Sequence, residues 1–240
     1  MENIVDNAVD PSAVVDFNMN FGHFDPEAVQ TDETINLVFV VDVSSSIFPV
    51  VDELNKGFSE FVERMKKSHL VENIFMSVTL FNKTVLVKES IGFQPLKNFT
   101  SLDFSPYVNG TTALYDATLY ALKGALDYRS NLENSGVTAK TILFVMTDGE
   151  DNESSGSSAA QVSDTIKELL KEERNFGNFD SILFGLNKSM ESYFNEATQR
   201  MNINHCVTLD NSAADIRKMI ACISASVSSM SAGQGATVTF

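Results

Sequence analysis

Short apolar runs of strand length alternate along the chain with stretches in which apolar residues return every three or four positions. Such alternation is the signature of a parallel sheet wrapped by helices. Residues 35–41, 142–146 and 182–186 are nearly continuous apolar runs, as strands buried on both faces require. Val50, Leu54, Phe58, Phe61 and Met65 fall on one helical stripe, so a first helix is expected to begin near Pro49, whose fixed φ suits a first turn. Segments 73–81 and 83–93 are rich in β-branched and aromatic residues and are separated only by Asn82 and its neighbours, too short for a crossover helix. They are predicted to form an antiparallel hairpin. Further helices fit 113–128, 159–175, 189–200 and 213–227, with a last strand at 203–209. The predicted fold class is α/β and doubly wound: a mostly parallel six-stranded sheet with one antiparallel edge strand and helices on both faces. Ligands bind such sheets beyond the carboxyl ends of the strands, where strand order reverses.

Composition and charge narrow the function. The 240 residues are 43% hydrophobic and 20% charged, enough apolar material for a sizeable core. The net charge of −15 repels phosphate backbones and offers no polybasic segment to anionic lipid, so neither nucleic acid nor membrane is expected as a partner. Residues 1–33 hold 8 of the 32 acidic residues and none of the 17 Lys and Arg. They are expected to form an extended or disordered acidic arm, with Phe17, Phe21 and Phe24 as docking contacts. The folded domain is expected over 34–228, followed by a flexible uncharged tail over 229–240. Residues 1–21 show neither a basic segment nor a continuous apolar one, so no secretory signal is expected. Cys206 and Cys222 read as thiols in a reducing compartment, and five Asn-x-Ser/Thr sequons on short loops also favour a cytoplasmic home.

Candidate chemistry gathers at the strand ends. The first strand ends in Asp42-Val43-Ser44-Ser45-Ser46, and the strand over 142–146 runs into Thr147-Asp148-Gly149-Glu150-Asp151. Between them, Asn109-Gly110-Thr111-Thr112 precedes a helix. Three loops thus supply hydroxyl and carboxylate oxygens, without thiol or imidazole, which suits a hard divalent cation such as Mg²⁺ and disfavours zinc.

Asp42-x-Ser44-x-Ser46, then Gly110-x-Thr112, then Asp148-Gly149 after an apolar strand, resembles the von Willebrand factor type A (vWA) domain with a complete metal-ion-dependent adhesion site (MIDAS). The likeness covers 34–228, and the run Leu114-Tyr115-Asp116-Ala117 extends it to intracellular members, a stand-alone type suited to bacteria or their phages. The resemblance implies a Rossmann-like fold in which Ser44, Ser46 and Thr112 bind the metal directly, while Asp42 and Asp148 bind it directly or through water. It implies Mg²⁺, with Mn²⁺ or Ca²⁺ as alternatives, and a partner protein whose Asp or Glu completes the coordination. The expected function is an intracellular Mg²⁺-dependent protein-binding module without catalytic activity.

Each motif taken alone has a plainer explanation. Ser44 to Ser46 would also cap a helix, Asp148-Gly149 would also make a turn, and Gly110 to Thr112 would also start a helix. Glu150, Asp151 and Glu153 read as a solvated acidic loop, and Asp116 as a support that orients the metal loop from behind. His23, His69 and His205 lack paired metal-ligand spacing, and the Met residues fall in core-forming segments. One alternative is a structural assembly subunit with a stabilising or vestigial metal site. A metal-dependent hydrolase is a third reading, but the chain lacks a phosphate-binding Gly-rich loop with Lys, a Gly-x-Ser-x-Gly elbow and a second acid at position 44.

Overall fold

The computed structural model describes residues 24, 26–171, 177–210 and 212–238. The expectations for Phe17, Phe21 and the rest of 1–23 lie outside the described residues. Six strands form one sheet: β1 (Glu33–Asp42), β2 (Ile74–Phe81), β3 (Ile91–Pro95), β4 (Thr138–Thr147), β5 (Phe179–Gly185) and β6 (His205–Thr208), in the order β3-β2-β1-β4-β5-β6. Five strands are parallel and β3 pairs antiparallel with β2 at one edge. The chain leaves β1 toward β2 on one side and later inserts β4 on the other side of β1, so strand order reverses between β1 and β4.

The alternation of side chains along a strand divides the core into two layers. Leu37, Phe39 and Val41 of β1 join Ile142, Phe144 and Met146 of β4 beneath α1 (Val51–Lys66) and α5 (Ala213–Ser231). Val38 and Val40 join Leu143 and Val145 beneath α2 (Leu114–Asn134), α3 (Ala159–Lys171) and α4 (Glu191–Met201). Burial on both faces explains why these strands read as continuous apolar runs. Phe39 is the hub of the first layer, 5.3 Å from Phe58 and 5.1 Å from Phe144 between ring centroids. The α1 stripe places Leu54, Phe58, Phe61 and Met65 inward, while Pro49 lies in a 3₁₀ turn over Ser45–Val50 that precedes the helix.

The antiparallel pairing expected here is present, with different bounds for its second strand. β3 is Ile91–Pro95 rather than the 83–93 stretch, and Phe75 pairs with Pro95, Met76 with Gln94 and Val78 with Ile91. Asn82 is not a free turn residue: its carbonyl accepts Ala113 N at 2.7 Å, and its side-chain amide donates to the Tyr107 carbonyl at 3.4 Å. Those contacts draw 82–90 toward the strand ends, where Ser90 Oγ accepts Leu80 N and substitutes for a ladder partner. The helix expected over 159–175 is seen as Ala159–Lys171, with 172–176 outside the described residues.

Both ends of the described chain make contacts with the domain. Phe24 lies edge-on to Tyr128, 5.6 Å between centroids. The C-terminal stretch reverses at Gly233, whose φ of +76° suits a helix-ending glycine, and returns along α5. Ala236 N donates to Asp180 Oδ2 at 2.6 Å, and the Thr237 carbonyl accepts Ser226 Oγ at 3.1 Å. The Ser-rich end of α5 supplies hydroxyls that donate to carbonyls of this uncharged segment.

Gly185, at the end of β5, lets α4 approach the sheet. A Cβ there would sit 2.1 Å from Phe194 Cδ2, inside a buried ring. Gly185→Ala is therefore expected to destabilise the domain by about 2–3 kcal/mol, lowering the thermal midpoint by roughly 5–10 °C in a calorimetric scan. An unchanged midpoint would show that α4 is free to move away.

Candidate functional site

Asp42 is the last residue of β1, and Asp148 follows the last residue of β4. The two carboxylates therefore meet at the carboxyl ends of the neighbouring strands between which strand order reverses. Asp42 Oδ1 accepts Ser44 N at 2.7 Å and its Oδ2 accepts Thr147 Oγ1 at 2.7 Å. Ser46 Oγ donates to Asp148 Oδ1 at 2.7 Å and lies 3.1 Å from Ser44 Oγ. Asp42, Ser44, Ser46 and Asp148 are thus linked through short polar contacts. Thr112, on the third loop, lies beside the residue that follows Asp148: its Oγ1 is 3.6 Å from where a Cβ on Gly149 would stand.

Backbone contacts hold the three loops together. Ser45 N donates to the Gly110 carbonyl at 3.0 Å, and Asn109 N to the Val43 carbonyl at 3.0 Å. Gly110 adopts φ +74°, the left-handed region that favours glycine, and this turn carries the chain from the first loop back toward α2. Asp42 and Ser44 are buried, Thr112 and Asp148 nearly so, and Ser46 reaches solvent.

Burial pushes the Asp42 carboxyl up to about 6, against hydrogen bonds from Thr147 and Ser44 that favour its charge, with the nearby Asp148 charge adding to the rise. Burial also raises the Asp148 carboxyl, opposed by the Ser46 hydroxyl. Neither carboxylate has a Lys or Arg ion pair among the described residues. Two neighbouring acids with uncompensated charge and three hydroxyls at one strand switch suit a small hard cation. Among the described residues no three His, Cys, Asp or Glu side chains gather, so the donor set rests on hydroxyls and this single acid pair.

No protein-family model matches the sequence, and no curated protein matches it. Among solved structures, the pilus adhesin SpaC from Lactobacillus rhamnosus GG is similar with a TM-score of 0.57 and 11% identity, over 83% of this chain and 31% of that one. Its open conformation gives 0.55 and 13%, over 82% and 30%. This chain thus spans under a third of the adhesin's length. The vWF domain of the type V pili tip protein Mfa5 from Porphyromonas gingivalis is similar with a TM-score of 0.53 and 12% identity, over 87% of this chain and 99% of that domain. The fold is vWA-like. At these identities the likeness speaks for architecture alone, and within that architecture the Asp42 and Asp148 loops occupy adjoining strand ends.

A network that the sequence did not announce ties the Asp148 loop to the start of α2. Ala113, the residue before α2, provides no side-chain cap. Ser154 Oγ instead accepts Tyr115 N and Asp116 N, each at 3.1 Å, and Asp151 Oδ1 accepts Tyr115 N at 3.3 Å. Asp151 N donates to Tyr193 Oη at 2.7 Å, and Asp116 Oδ2 accepts Ser155 N at 3.1 Å. Asn152 pairs with Thr112 in both directions, accepting Thr112 N at Oδ1 and donating its own N to the Thr112 carbonyl. Its sequence signals, a place in an acidic loop and the start of an Asn-x-Ser sequon, say nothing of this pairing. Asn152→Ala is expected to leave Thr112 N without its partner, costing about 1–2 kcal/mol, and to weaken Mn²⁺ binding about tenfold in a calorimetric titration. Wild-type affinity in this variant would remove Asn152 from the site.

Proposed function

We propose that the chain is a non-catalytic protein-binding module in which Ser44, Ser46, Thr112, Asp42 and Asp148 hold Mg²⁺ and a partner carboxylate completes the coordination. The observation that carries this reading is a buried acid pair at the strand switch, linked to the Ser44 and Ser46 hydroxyls with the Thr112 hydroxyl beside Gly149, and with no Lys or Arg ion pair to either acid among the described residues. Ser44, Ser46 and Thr112 would hold the ion through uncharged hydroxyls, and Asp42 and Asp148 directly or through water. When bound, the ion supplies a positive centre that attracts an anionic oxygen from another protein. Thr147 and the Ser44 N–H fix both oxygens of Asp42, so this carboxylate orients its neighbours rather than swinging toward solvent. Ser46, at the surface, is the residue through which the site opens.

A cytoplasmic location accompanies this proposal. Cys206 and Cys222 are free, and burial pushes the Cys222 thiol up to about 11, away from reactivity. Among the described residues no helix is long and apolar enough to cross a membrane.

Capture from cell extract on the immobilised chain is expected to recover the same partner repeatedly in Mg²⁺ and to release it with chelator. Ser44→Ala should recover none of it. Partner retention in chelator, with equal recovery by the variant, would move binding to another surface.

A further inference from the structure

Among the described residues Phe48 is the large apolar side chain left exposed, at 74% of its full area. Other phenylalanines, including Phe39, Phe58, Phe61, Phe99 and Phe104, are fully buried. Phe48 stands two residues after Ser46 in the 3₁₀ turn Ser45–Val50, which places their Cα atoms within roughly 7 Å of one another. The turn is anchored from below: Ile47 and Val50 are 1% and 4% exposed, and Ile47 N donates to the Ser44 carbonyl. Ser45, Ser46, Phe48 and Pro49 form its solvent side. Phe48 is therefore held outward on a fixed support beside the opening of the metal site. An exposed aromatic on a rigid base is the kind of residue that anchors an interface, because docking removes a large apolar area from water at little cost in ordering.

The surrounding charges restrict what meets it. Asp52 in the first turn of α1 and Glu150 and Glu153 on the Asp148 loop are exposed around the site, and they outnumber Lys83, an exposed basic residue whose stem lies 3.5 Å from where a Cβ on Gly110 would stand. A partner rich in acids would be repelled, whereas one carboxylate accompanied by basic residues would be accepted.

Building on the metal-dependent reading above, we infer that Phe48 is the apolar anchor of the partner-binding face. The partner segment presents a carboxylate with an aliphatic or aromatic side chain beside it, flanked by Lys or Arg rather than by further acids. The carboxylate reaches the metal past Ser46, and the neighbouring apolar side chain covers the Phe48 ring.

A random peptide display library panned on the full chain in Mg²⁺ and eluted with chelator tests this. Wild-type chain should enrich peptides that combine Asp or Glu, a large apolar neighbour and basic flanks. Phe48→Ser should keep the thermal midpoint and still select the acid, but lose the apolar enrichment and bind the wild-type peptides about tenfold or more weakly. Phe48→Tyr should bind them nearly as wild type does. Peptides with an acid and no apolar preference, or equal affinity in Phe48→Ser, overturn the anchor while leaving the metal reading standing. Absence of chelator-released peptides, together with wild-type panning behaviour in Asp148→Ala, overturns both.

Discussion

Replacing Asp148 with alanine is expected to lower Mn²⁺ affinity at least about a hundredfold and to leave the domain folded. Asp148 has two attributes that favour a cation: it accepts Ser46 Oγ at 2.7 Å, and burial holds its carboxyl above the ordinary range. Removing it deletes a donor and relieves the repulsion it exerts on Asp42. In chelator, the variant should therefore unfold close to the wild-type midpoint, because the lost hydrogen bond is offset by the lost cost of burying charge. In saturating Mg²⁺ the two should separate. A ligand present at a hundred times its dissociation constant stabilises the wild type by about 2.7 kcal/mol and gives the variant almost nothing. Thermal scans of both proteins with Mg²⁺ and with chelator read this difference. Equal midpoints in all conditions would show that the loop at Asp148 holds no ion.

A second large effect concerns the support beneath the site. Phe58 of α1 is 1% exposed and lies 5.3 Å from Phe39, 6.1 Å from Phe99 and 5.4 Å from Phe104 between ring centroids. It joins β1, which ends in Asp42, to the segment that leads into the Thr112 loop. Phe58→Ala is expected to cost about 3–5 kcal/mol, a large part of the stability of an ordinary domain. Urea unfolding should show a much lower midpoint with the slope unchanged, and Phe58→Leu should lie between the two. A small shift for the alanine variant would mean that the aromatic cluster closes over the cavity.

The central sheet was legible because strands buried on both faces leave no room for polar alternation. The runs 35–41 and 142–146 lie within β1 and β4, and 182–186 overlaps the end of β5 and runs one residue past it. The α1 stripe was legible for a similar reason, since one face of that helix meets a single layer of core. The antiparallel edge strand was legible as well, but its bounds were not, because Asn82 is pulled into contacts with Tyr107 and Ala113 that lie 25 and more residues away. Residues of the candidate site could be named from the motifs at the strand ends, and Asp116 as a support, yet the other supports could not. Asn152, Ser154 and Tyr193 act across 38 to 42 positions of chain, so no local pattern marks them. Phe48 carried no signal either, and only the fold shows it turned outward between the buried Ile47 and Val50. The returning C-terminus depends in the same way on Asp180 and Ser226, hydrogen-bond partners remote in sequence.

Crystals of the chain grown in Mn²⁺ and measured for anomalous scattering test the metal site most directly. The account predicts one strong peak about 2.0–2.2 Å from the hydroxyls of Ser44, Ser46 and Thr112, with Asp42 and Asp148 on its inner side. A map with no peak there, and with Ser46 still bonded to Asp148, would contradict it.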